Sequence, residues 1–223
     1  MNFSRRLILA SKSPRRQQLL RAIVPGLEIR TKHVEEDYPD SLKTDQVAAY
    51  LAQKKALAFR GELKDEVLIT SDTTVVLGDQ ILGKPEDEAA AFDMLSALSG
   101  GFHHVDTGVC ILSREKQVVF NEVTRVYFGK LTDETIRAYI SSFHPLDKAG
   151  AYGIQDCIEQ DTNLLSQEDQ KFLLKINKPL LYEETMTSGS TKPPAFYIDH
   201  IEGSYFNVMG LPVARLYHEL SRF

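Results

Sequence analysis

Tryptophan is absent from the 223 residues, and cysteine occurs only twice, at Cys110 and Cys157. Two thiols cannot form a disulfide framework or a four-ligand zinc site, and they favour a reducing compartment. No apolar run approaches the length of about 20 residues that a membrane-spanning helix needs. These absences argue against a disulfide-stapled scaffold and against contact with a membrane, and we expect a cytoplasmic location.

Basic residues are also too few to dominate the charge. Lys and Arg total 26 against 31 Asp and Glu, which gives a formal net charge of −5 and a pI near 5.7. Long-range electrostatics therefore gives no reason to expect a general nucleic-acid binder. The hydrophobic share of 43% and the charged share of 26% are ordinary for a globular protein. The length fits one large domain or two closely packed lobes.

Several catalytic signatures are missing, including the G-x-S-x-G elbow, H-E-x-x-H and C-x-x-C. His103 and His104 are adjacent, so on a strand they face opposite sides and cannot easily share a metal. The other histidines are isolated, and Cys110 lies in an apolar stretch that predicts a core position.

Predicted strands and helices alternate along the chain, which favours an α/β or α+β protein built on a sheet. The predicted strands are Leu7–Ala10, Leu27–Lys32, Val67–Thr70, Thr74–Leu77, His104–Leu112 and Gln117–Phe128. The predicted helices begin at Ser13-Pro14, at Thr44 or Asp45, at Asp87, at Thr132 and after Pro212. By contrast, Asp156 to Pro194 is polar and irregular, which predicts an inserted surface excursion, either a partly disordered decoration or a lid.

The turn after the first predicted strand has the composition of an anion site. Ser13 is a predicted N-cap, and Pro14 suits the first helical position. Free N–H groups at a helix start attract anions, and the side chains of Ser11, Ser13, Arg15 and Arg16 would strengthen that attraction. The turn therefore predicts a phosphate site, with a capped helix bearing exposed basic residues as the alternative.

The stretch Gly78–Pro85 nearly matches the phosphate-binding loop G-x-x-x-x-G-K-[ST]. Pro85 stands at the last position, where it offers neither a hydroxyl for magnesium nor an amide hydrogen for a phosphate. The strand should also lead directly into such a loop, whereas Gly78-Asp79 is typical of a hairpin turn. We therefore reject a P-loop NTPase. Lys84, which follows a glycine just before a helix, can still reach an anion.

Carboxylates and cations recur in the first half of the chain. Asp72 lies between two predicted β segments, where a carboxylate can bind a divalent cation or accept a proton from water. Glu36 belongs to an acidic loop, and Lys55 lies on a predicted helix. Each alone has an ordinary surface explanation. Together they are what metal-assisted phosphoryl chemistry requires.

The ordered set of motifs resembles the Maf family of nucleoside triphosphate pyrophosphatases. The matching stretches are LILASKSPRRQQLL, HVEE, YLAQKKALA, SDTTVVLGDQILGKPEDEAAAFDMLSALSGGFHHVDTGV, PLDKAGAYGIQ and GSYFNVMGLPV. The resemblance implies one Maf-like domain over 1–223, with an elongated mixed sheet flanked by helices. It further implies two lobes with a central cleft, similar to the inosine triphosphate pyrophosphatase architecture.

The resemblance also implies a reaction: hydrolysis at the α–β linkage to the monophosphate and pyrophosphate, assisted by Mg²⁺ or Mn²⁺, in a homodimer. Asp72 matches the proton acceptor, and Glu36 matches a metal-binding carboxylate, with Asp72 as a candidate second ligand. Residues expected around the triphosphate are Lys55 and Lys84, which are assigned to catalysis, and Arg16, Ser11 and Ser13.

Three further positions fall where the family distinguishes bases: Arg15, Thr73 and Gln155. The family branch that acts on dTTP and UTP carries S-P-R-R, D-T and Y-G-I-Q, as this chain does. An amide offers both a donor and an acceptor to a neutral pyrimidine edge. We expect dTTP or UTP as substrate, with two alternatives: a 7-methyl-GTP or modified-purine pyrophosphatase, and a non-catalytic nucleotide-binding regulator of cell division. The stretch 156–194 is longer than the connector that the resemblance implies, so we expect it to be a family-atypical insertion that begins beside Gln155.

Overall fold

The computed structural model describes residues 3–157, 163–187 and 198–223. Within them, seven strands form one sheet in the order β2-β1-β3-β5-β6-β7, and β4 pairs with β3. The strands are β1 Leu7–Leu9, β2 Glu28–Ile29, β3 Val67–Leu77, β4 Gln80–Leu82, β5 Phe102–Leu112, β6 Gln117–Phe128 and β7 Ile198–Glu202. The pairings β1–β2 and β1–β3 are parallel, whereas β3–β4 and β6–β7 are antiparallel, so the sheet is mixed.

Helices flank this sheet, which confirms the predicted α/β class. They are α1 Pro14–Ile23, α2 Thr44–Leu57, α3 Glu88–Leu98, α4 Asp133–Phe143, α5 Gln167–Lys175, α6 Leu181–Thr187, α7 Tyr205–Val208 and α8 Val213–Leu220. No helix in these described ranges is long and apolar enough to span a membrane.

The chain divides into two compact units. The first comprises residues 1–73, 106–122 and 210–223, and the second comprises 74–105 and 123–209. The central cleft and the similarity to the inosine triphosphate pyrophosphatase architecture stay predictions.

The first unit is organised around β1 and β3. Leu7, Ile8 and Leu9 pair with Val67–Ile69, and all of these side chains are buried. An apolar cluster fixes α2 against the sheet and includes the predicted core residue Cys110; its members are Ile8, Ala52, Ala56, Phe59, Leu63, Leu68, Cys110 and Leu112. This packing sets where the last turn of α2 lies relative to β3.

The second unit contains the turn that the sequence set apart from a P-loop. Gly78, at φ +59°, links β3 to β4 in a hairpin with Val75 opposite Leu82, so the predicted hairpin turn is confirmed. His103 is buried and its Nε2 lies 2.7 Å from the Tyr152 hydroxyl oxygen. Burial lowers the pKa of His103 to about 4, with His104 adding to the effect, so the ring is neutral near pH 7.

Three predicted local features are wrong. The β segment is not interrupted at Ser71–Thr73, because β3 runs continuously from Val67 to Leu77, which places Asp72 inside a strand. Helix α2 begins after Lys43 with no side-chain cap, so Thr44 and Asp45 lie inside it rather than capping it. β2 is shorter than predicted because pairing with β1 extends only over Glu28 and Ile29. The predicted caps Ser13 and Thr132 are confirmed, whereas Asp87, predicted as the first residue of a helix, is the cap of α3, which begins at Glu88.

The stretch from Asp156 to Pro194 is more regular than its composition predicts. Two helices, α5 and α6, form within it; residues 158–162 and 188–197 lie outside the described residues. Ser166 caps α5 by accepting from the Asp169 N–H over 3.0 Å. The expectation of an irregular excursion is therefore wrong for these two helices, whereas the idea of a family-atypical insertion stays a prediction.

Candidate active site

The first part of the site is the turn between β1 and α1. Ser13 has extended backbone, and its hydroxyl accepts the N–H of Arg16 over 3.5 Å while Pro14 occupies the first turn. The Ser11 hydroxyl in turn accepts the N–H of Ser13 over 3.2 Å. Each hydroxyl oxygen accepts one of these local bonds, and together the bonds fix the start of the helix, whose dipole favours an anion there.

The second part is formed by Asp72 of β3 and Lys55 of α2. The Lys55 ammonium contacts Asp72 Oδ1, and it also lies 2.7 Å from Glu36 Oε1. Only 12% of the Asp72 side chain and 17% of the Lys55 side chain are exposed, whereas Glu36 is 56% exposed. Lys55 therefore pairs with two carboxylates that lie 36 positions apart in the sequence. Of the two, Asp72 is mostly buried and Glu36 is mostly exposed.

The acidic loop is tied to α2 by two successive lysines. Next to the Lys55–Glu36 pair, the Lys54 ammonium lies 2.5 Å from Asp37 Oδ1 and 3.1 Å from the Asp37 carbonyl oxygen. The hydrogen bond from Lys54 lowers the pKa of the exposed Asp37 carboxyl. The loop has no regular secondary structure, and these two pairs hold Glu36 and Asp37 against α2.

Arg16 joins α1 to the strand that carries Asp72. Its Nε donates to the Gly210 carbonyl, its Nη1 to the Ser71 carbonyl and its Nη2 to the Thr73 hydroxyl, each over 2.8 Å. Loss of solvent around the guanidinium lowers the pKa of Arg16, and the Asp72 carboxylate opposes that effect. Arg16 therefore lies close enough to Asp72 to feel its charge while its hydrogen bonds go to neighbouring groups.

Thr73 and Arg15 differ in how their polar atoms are satisfied. The Thr73 hydroxyl, besides accepting from Arg16, lies 3.0 Å from the Thr107 hydroxyl of β5. Arg15 Nε is buried and has no hydrogen-bond partner among the described residues. Their predicted contact with the nucleotide base stays a prediction for both residues.

The remaining predicted residues, Lys84 and Gln155, belong to the second unit. Within that unit the Gly150 N–H donates to the Gly83 carbonyl over 3.0 Å, which brings the glycine-punctuated loop that ends near Gln155 beside the residue preceding Lys84. Gly150 adopts φ +68° there. The structure thus places Lys84 and Gln155 on adjoining segments of one unit, and their participation in the same site as Asp72 stays a prediction.

Sequence reasoning missed three polar or close-packed residues, two in the first unit and one in the second. Thr107 and Gly210 partner Thr73 and Arg16 across long chain separations, and both lie inside quoted motifs, which was the available signal. Lys148, also within a motif, lies 2.7 Å from Asp147 and is only 15% exposed. Motif membership marks such residues, but only the fold shows what each one contacts.

Glu36 and Asp72 are the carboxylates that could hold a metal. Mg²⁺ takes one or two protein carboxylates, and substrate phosphates and water complete its shell. The described residues contain no group of three or more His, Cys, Asp or Glu side chains arranged to hold a metal without substrate. Two carboxylates already held on one cation fit a divalent ion that arrives with a polyphosphate.

The amino-acid sequence matches a known protein family. The profile of the Maf-like protein family matches residues 6–161. The chain belongs to the Maf family. The matched range contains every site residue named above except Gly210, and so the family assignment covers Asp72, Lys55 and Glu36 directly.

Relatives of this Maf protein match over nearly their whole length. The "dTTP/UTP pyrophosphatase" of Flavobacterium psychrophilum is 39% identical over 213 residues, 95% of this chain and 91% of the relative. The protein of the same name from Carboxydothermus hydrogenoformans is 41% identical over 217 residues, 96% and 97% of the two chains. Among solved structures, the Staphylococcus aureus Ham1 protein is similar with a TM-score of 0.40 and 12% identity, over 56% of this chain and 72% of that one. A TM-score of that size carries no argument about the fold.

Proposed function

We propose that this protein hydrolyses dTTP and UTP to the nucleoside monophosphate and pyrophosphate. The observation that carries the proposal is the contact of one ammonium, Lys55, with the carboxylates of Asp72 and Glu36, in the same unit as the anion-attracting start of α1. The relatives' shared name, dTTP/UTP pyrophosphatase, supports the choice of reaction and base.

Asp72 supplies the proton acceptor in this proposal. Lys55 engages Oδ1, so Oδ2 is the oxygen that takes a proton from the attacking water. The water oxygen bonds to the α-phosphorus, the bond from that phosphorus to the bridging α–β oxygen breaks, and pyrophosphate leaves with the electron pair. Because Lys55 keeps Asp72 paired and oriented, the carboxylate needs little rearrangement before it accepts the proton.

Cations and backbone dipoles offset the charge of the triphosphate. The start of α1 offers N–H groups and a positive helix end, and Arg15 offers a guanidinium whose Nε meets no partner in the described part of the chain. Lys84 of the second unit is proposed to add a further cation at the same substrate. A divalent ion held by Glu36 and Asp72 would supply charge neutralisation of the phosphates when bound.

The pyrimidine preference rests on the side chains available to the base. Gln155 offers an amide with both a donor and an acceptor, which matches a neutral pyrimidine edge better than a cationic methylated guanine. A cytoplasmic location and a homodimer belong to the same proposal. The 7-methyl-GTP alternative has no observation in its favour here.

A nucleotide panel tests the proposal. Purified protein is incubated with dTTP, UTP, dCTP, GTP and 7-methyl-GTP in the presence of Mg²⁺ or Mn²⁺, and pyrophosphate and orthophosphate are measured separately. We expect pyrophosphate, with the highest kcat/KM for dTTP and UTP. Asp72→Asn serves as the matched variant and is expected to lower kcat by about 10²–10⁴-fold.

Two outcomes would contradict the proposal. Release of orthophosphate would show attack at a terminal phosphorus rather than at the α-phosphorus. Tight binding of dTTP with no product in either metal would favour the nucleotide-binding regulator instead.

A further inference from the structure

Arg16 uses three of its five N–H groups on internal acceptors. The acceptors are the Gly210 carbonyl, the Ser71 carbonyl and the Thr73 hydroxyl, each at 2.8 Å, and all of them belong to the first unit. A guanidinium recognises a phosphate best through two parallel N–H bonds from its planar fork. With Nε, Nη1 and Nη2 each already committed, Arg16 is poorly placed to act mainly as a phosphate ligand.

Two of those acceptors immediately flank Asp72 in β3. The Ser71 carbonyl precedes it and the Thr73 hydroxyl follows it, so a single guanidinium holds both neighbours of the carboxylate. Successive side chains of a strand point to opposite faces. Asp72 therefore projects from the face of β3 opposite to the one on which Thr73 meets Arg16. The three hydrogen bonds of Arg16, called the Arg16 clamp below, do not involve the Asp72 carboxylate, whose Oδ1 contacts Lys55.

Three further contacts surround the Arg16 clamp. Thr107 lies 3.0 Å from the Thr73 hydroxyl, and the Ser71 hydroxyl donates to the same Gly210 carbonyl over 3.1 Å. Gly210 adopts φ +102°, and a Cβ there would lie 3.3 Å from both Arg16 Nε and Thr73 Oγ1. The absence of a Cβ at Gly210 lets the Arg16 guanidinium approach its carbonyl this closely.

The neighbouring arginine has the opposite character. Arg15 Nε is buried and meets no hydrogen-bond partner among the described residues. A buried unpaired N–H costs free energy unless a ligand satisfies it. The two adjacent guanidinium groups therefore differ. Arg16 donates to three acceptors within the protein, whereas Arg15 Nε keeps an N–H that is available to a ligand.

We propose that Arg16 is a positioning residue, which fixes the backbone on both sides of Asp72, and that Arg15 is the arginine that contacts the triphosphate. This inference rests on the proposed function and deepens it, because it divides the work of the arginine pair. Thr73 is also a positioning residue, because its hydroxyl accepts a hydrogen bond from Arg16 and thereby ties the guanidinium to β3.

The two roles predict different kinetic effects. Loss of a phosphate contact made in both ground and transition states raises KM with little change in kcat. Loss of positioning leaves the ground-state contacts and displaces the proton acceptor, which lowers kcat, and a displacement of about 1 Å can cost roughly 10²-fold.

The test compares Arg16→Lys with Arg15→Lys on dTTP. We expect Arg16→Lys to lower kcat by about 10²-fold with KM within about threefold of wild type. We expect Arg15→Lys to raise KM by about tenfold with kcat nearly retained, since a lysine keeps the charge but loses the fork. A raised KM with unchanged kcat in Arg16→Lys would overturn the proposal.

Thr73 supplies the rescue arm of the experiment. Thr73→Val removes the acceptor for Arg16 Nη2 at nearly constant shape, and we expect kcat to fall by about tenfold for dTTP and UTP alike. Thr73→Ser keeps the hydroxyl and is expected to restore kcat. If Thr73→Val instead changes the dTTP-to-UTP ratio while kcat is retained, Thr73 contacts the base and the positioning role is contradicted.

A binding measurement separates this inference from the proposed function. Calorimetry with a non-hydrolysable α,β-imido analogue of dTTP and Mg²⁺ needs no turnover. We expect a weaker Kd in Arg15→Lys and an unchanged Kd in Arg16→Lys, and the reverse would overturn the inference. Absence of pyrophosphate release by the wild type would instead sink the proposed function, whichever arginine carries the binding.

Discussion

Asp169 in α5 accepts a hydrogen bond from Ser204 across 35 positions of the chain, with Ser204 Oγ 2.7 Å from Asp169 Oδ1. Asp169 Oδ2 also accepts the Tyr205 N–H over 3.0 Å, at the start of α7. Burial raises the pKa of Asp169, and the bonds from Ser204 and Tyr205 oppose that shift. One side chain of the stretch 156–194 therefore anchors the chain at α7.

Asp169→Ala should destabilise the protein by about 1–3 kcal/mol, because it leaves the Tyr205 N–H and the Ser204 hydroxyl without their buried acceptor. Urea unfolding followed by circular dichroism measures the loss. The exposed neighbour Glu168→Ala is the control and is expected to change the free energy of unfolding by less than about 0.5 kcal/mol. Equal stability of the two variants would show that this stretch is only decoration.

Asp106 predicts a specific dependence of stability on pH. The residue is 3% exposed, and its Oδ1 has no hydrogen-bond partner among the described residues. Burial, with Asp45 adding to the effect, raises the pKa of Asp106 from 3.8 to about 6. The folded state thus holds this proton more tightly than the unfolded chain does. Stability contributed by the group is complete below about pH 4 and is lost as pH rises to about 6.

The variant Asp106→Asn should remove that dependence. We expect it to match the wild type near pH 4 and to exceed it by about 1–3 kcal/mol above pH 7, from the size of the pKa difference. Urea titrations at several pH values give the difference curve, and Asp79→Asn on the exposed turn is the control. A difference that is flat with pH would rule out titration of Asp106 as the cause.

The sequence was most informative where a local pattern is sufficient. The caps at Ser13 and Thr132 follow from residues within four positions of each other, and so does the turn at Gly78. The start of α2 could not be predicted because Lys43 gives no side-chain cap there and packing of the helix decides its limit. A local signal fails where tertiary contacts set the boundary.

In the candidate site, too, the sequence predicted residue types but not the tertiary contacts between them. The residue types at Asp72, Lys55 and Glu36 were readable, but their contacts were not, because the partners come from a strand, a helix and a loop. The commitment of Arg16 depends on Gly210, which is 194 positions away. No spacing rule connects such a pair, so the sequence could not indicate that the fold supplies Arg16 with two backbone acceptors.

At Gly108 of β5, the backbone of α2 approaches the sheet closely. A Cβ there would lie 2.2 Å from the Ala48 carbonyl carbon and from the Ala49 nitrogen, both of which are backbone atoms. Gly108→Ala should therefore cost about 3 kcal/mol or more, since helix and strand must separate. Thermal unfolding measures this loss. Gly61→Ala, where a Cβ meets nothing within 4 Å, is the control, and equal melting temperatures would contradict the close approach.

Lys55 and Lys54 form a matched pair for testing the charge arrangement at the site. Both lie in the last turn of α2 and both hold an acidic-loop carboxylate, but only Lys55 also contacts Asp72. Lys55→Ala leaves Asp72 and Glu36 without their shared cation, so we expect kcat/KM for dTTP to fall by about 10²-fold or more. Lys54→Ala should change it by less than about threefold, because exposed pairs contribute little. Similar losses in both variants would mean that the lysines act only by holding the loop, and that contact with Asp72 adds nothing.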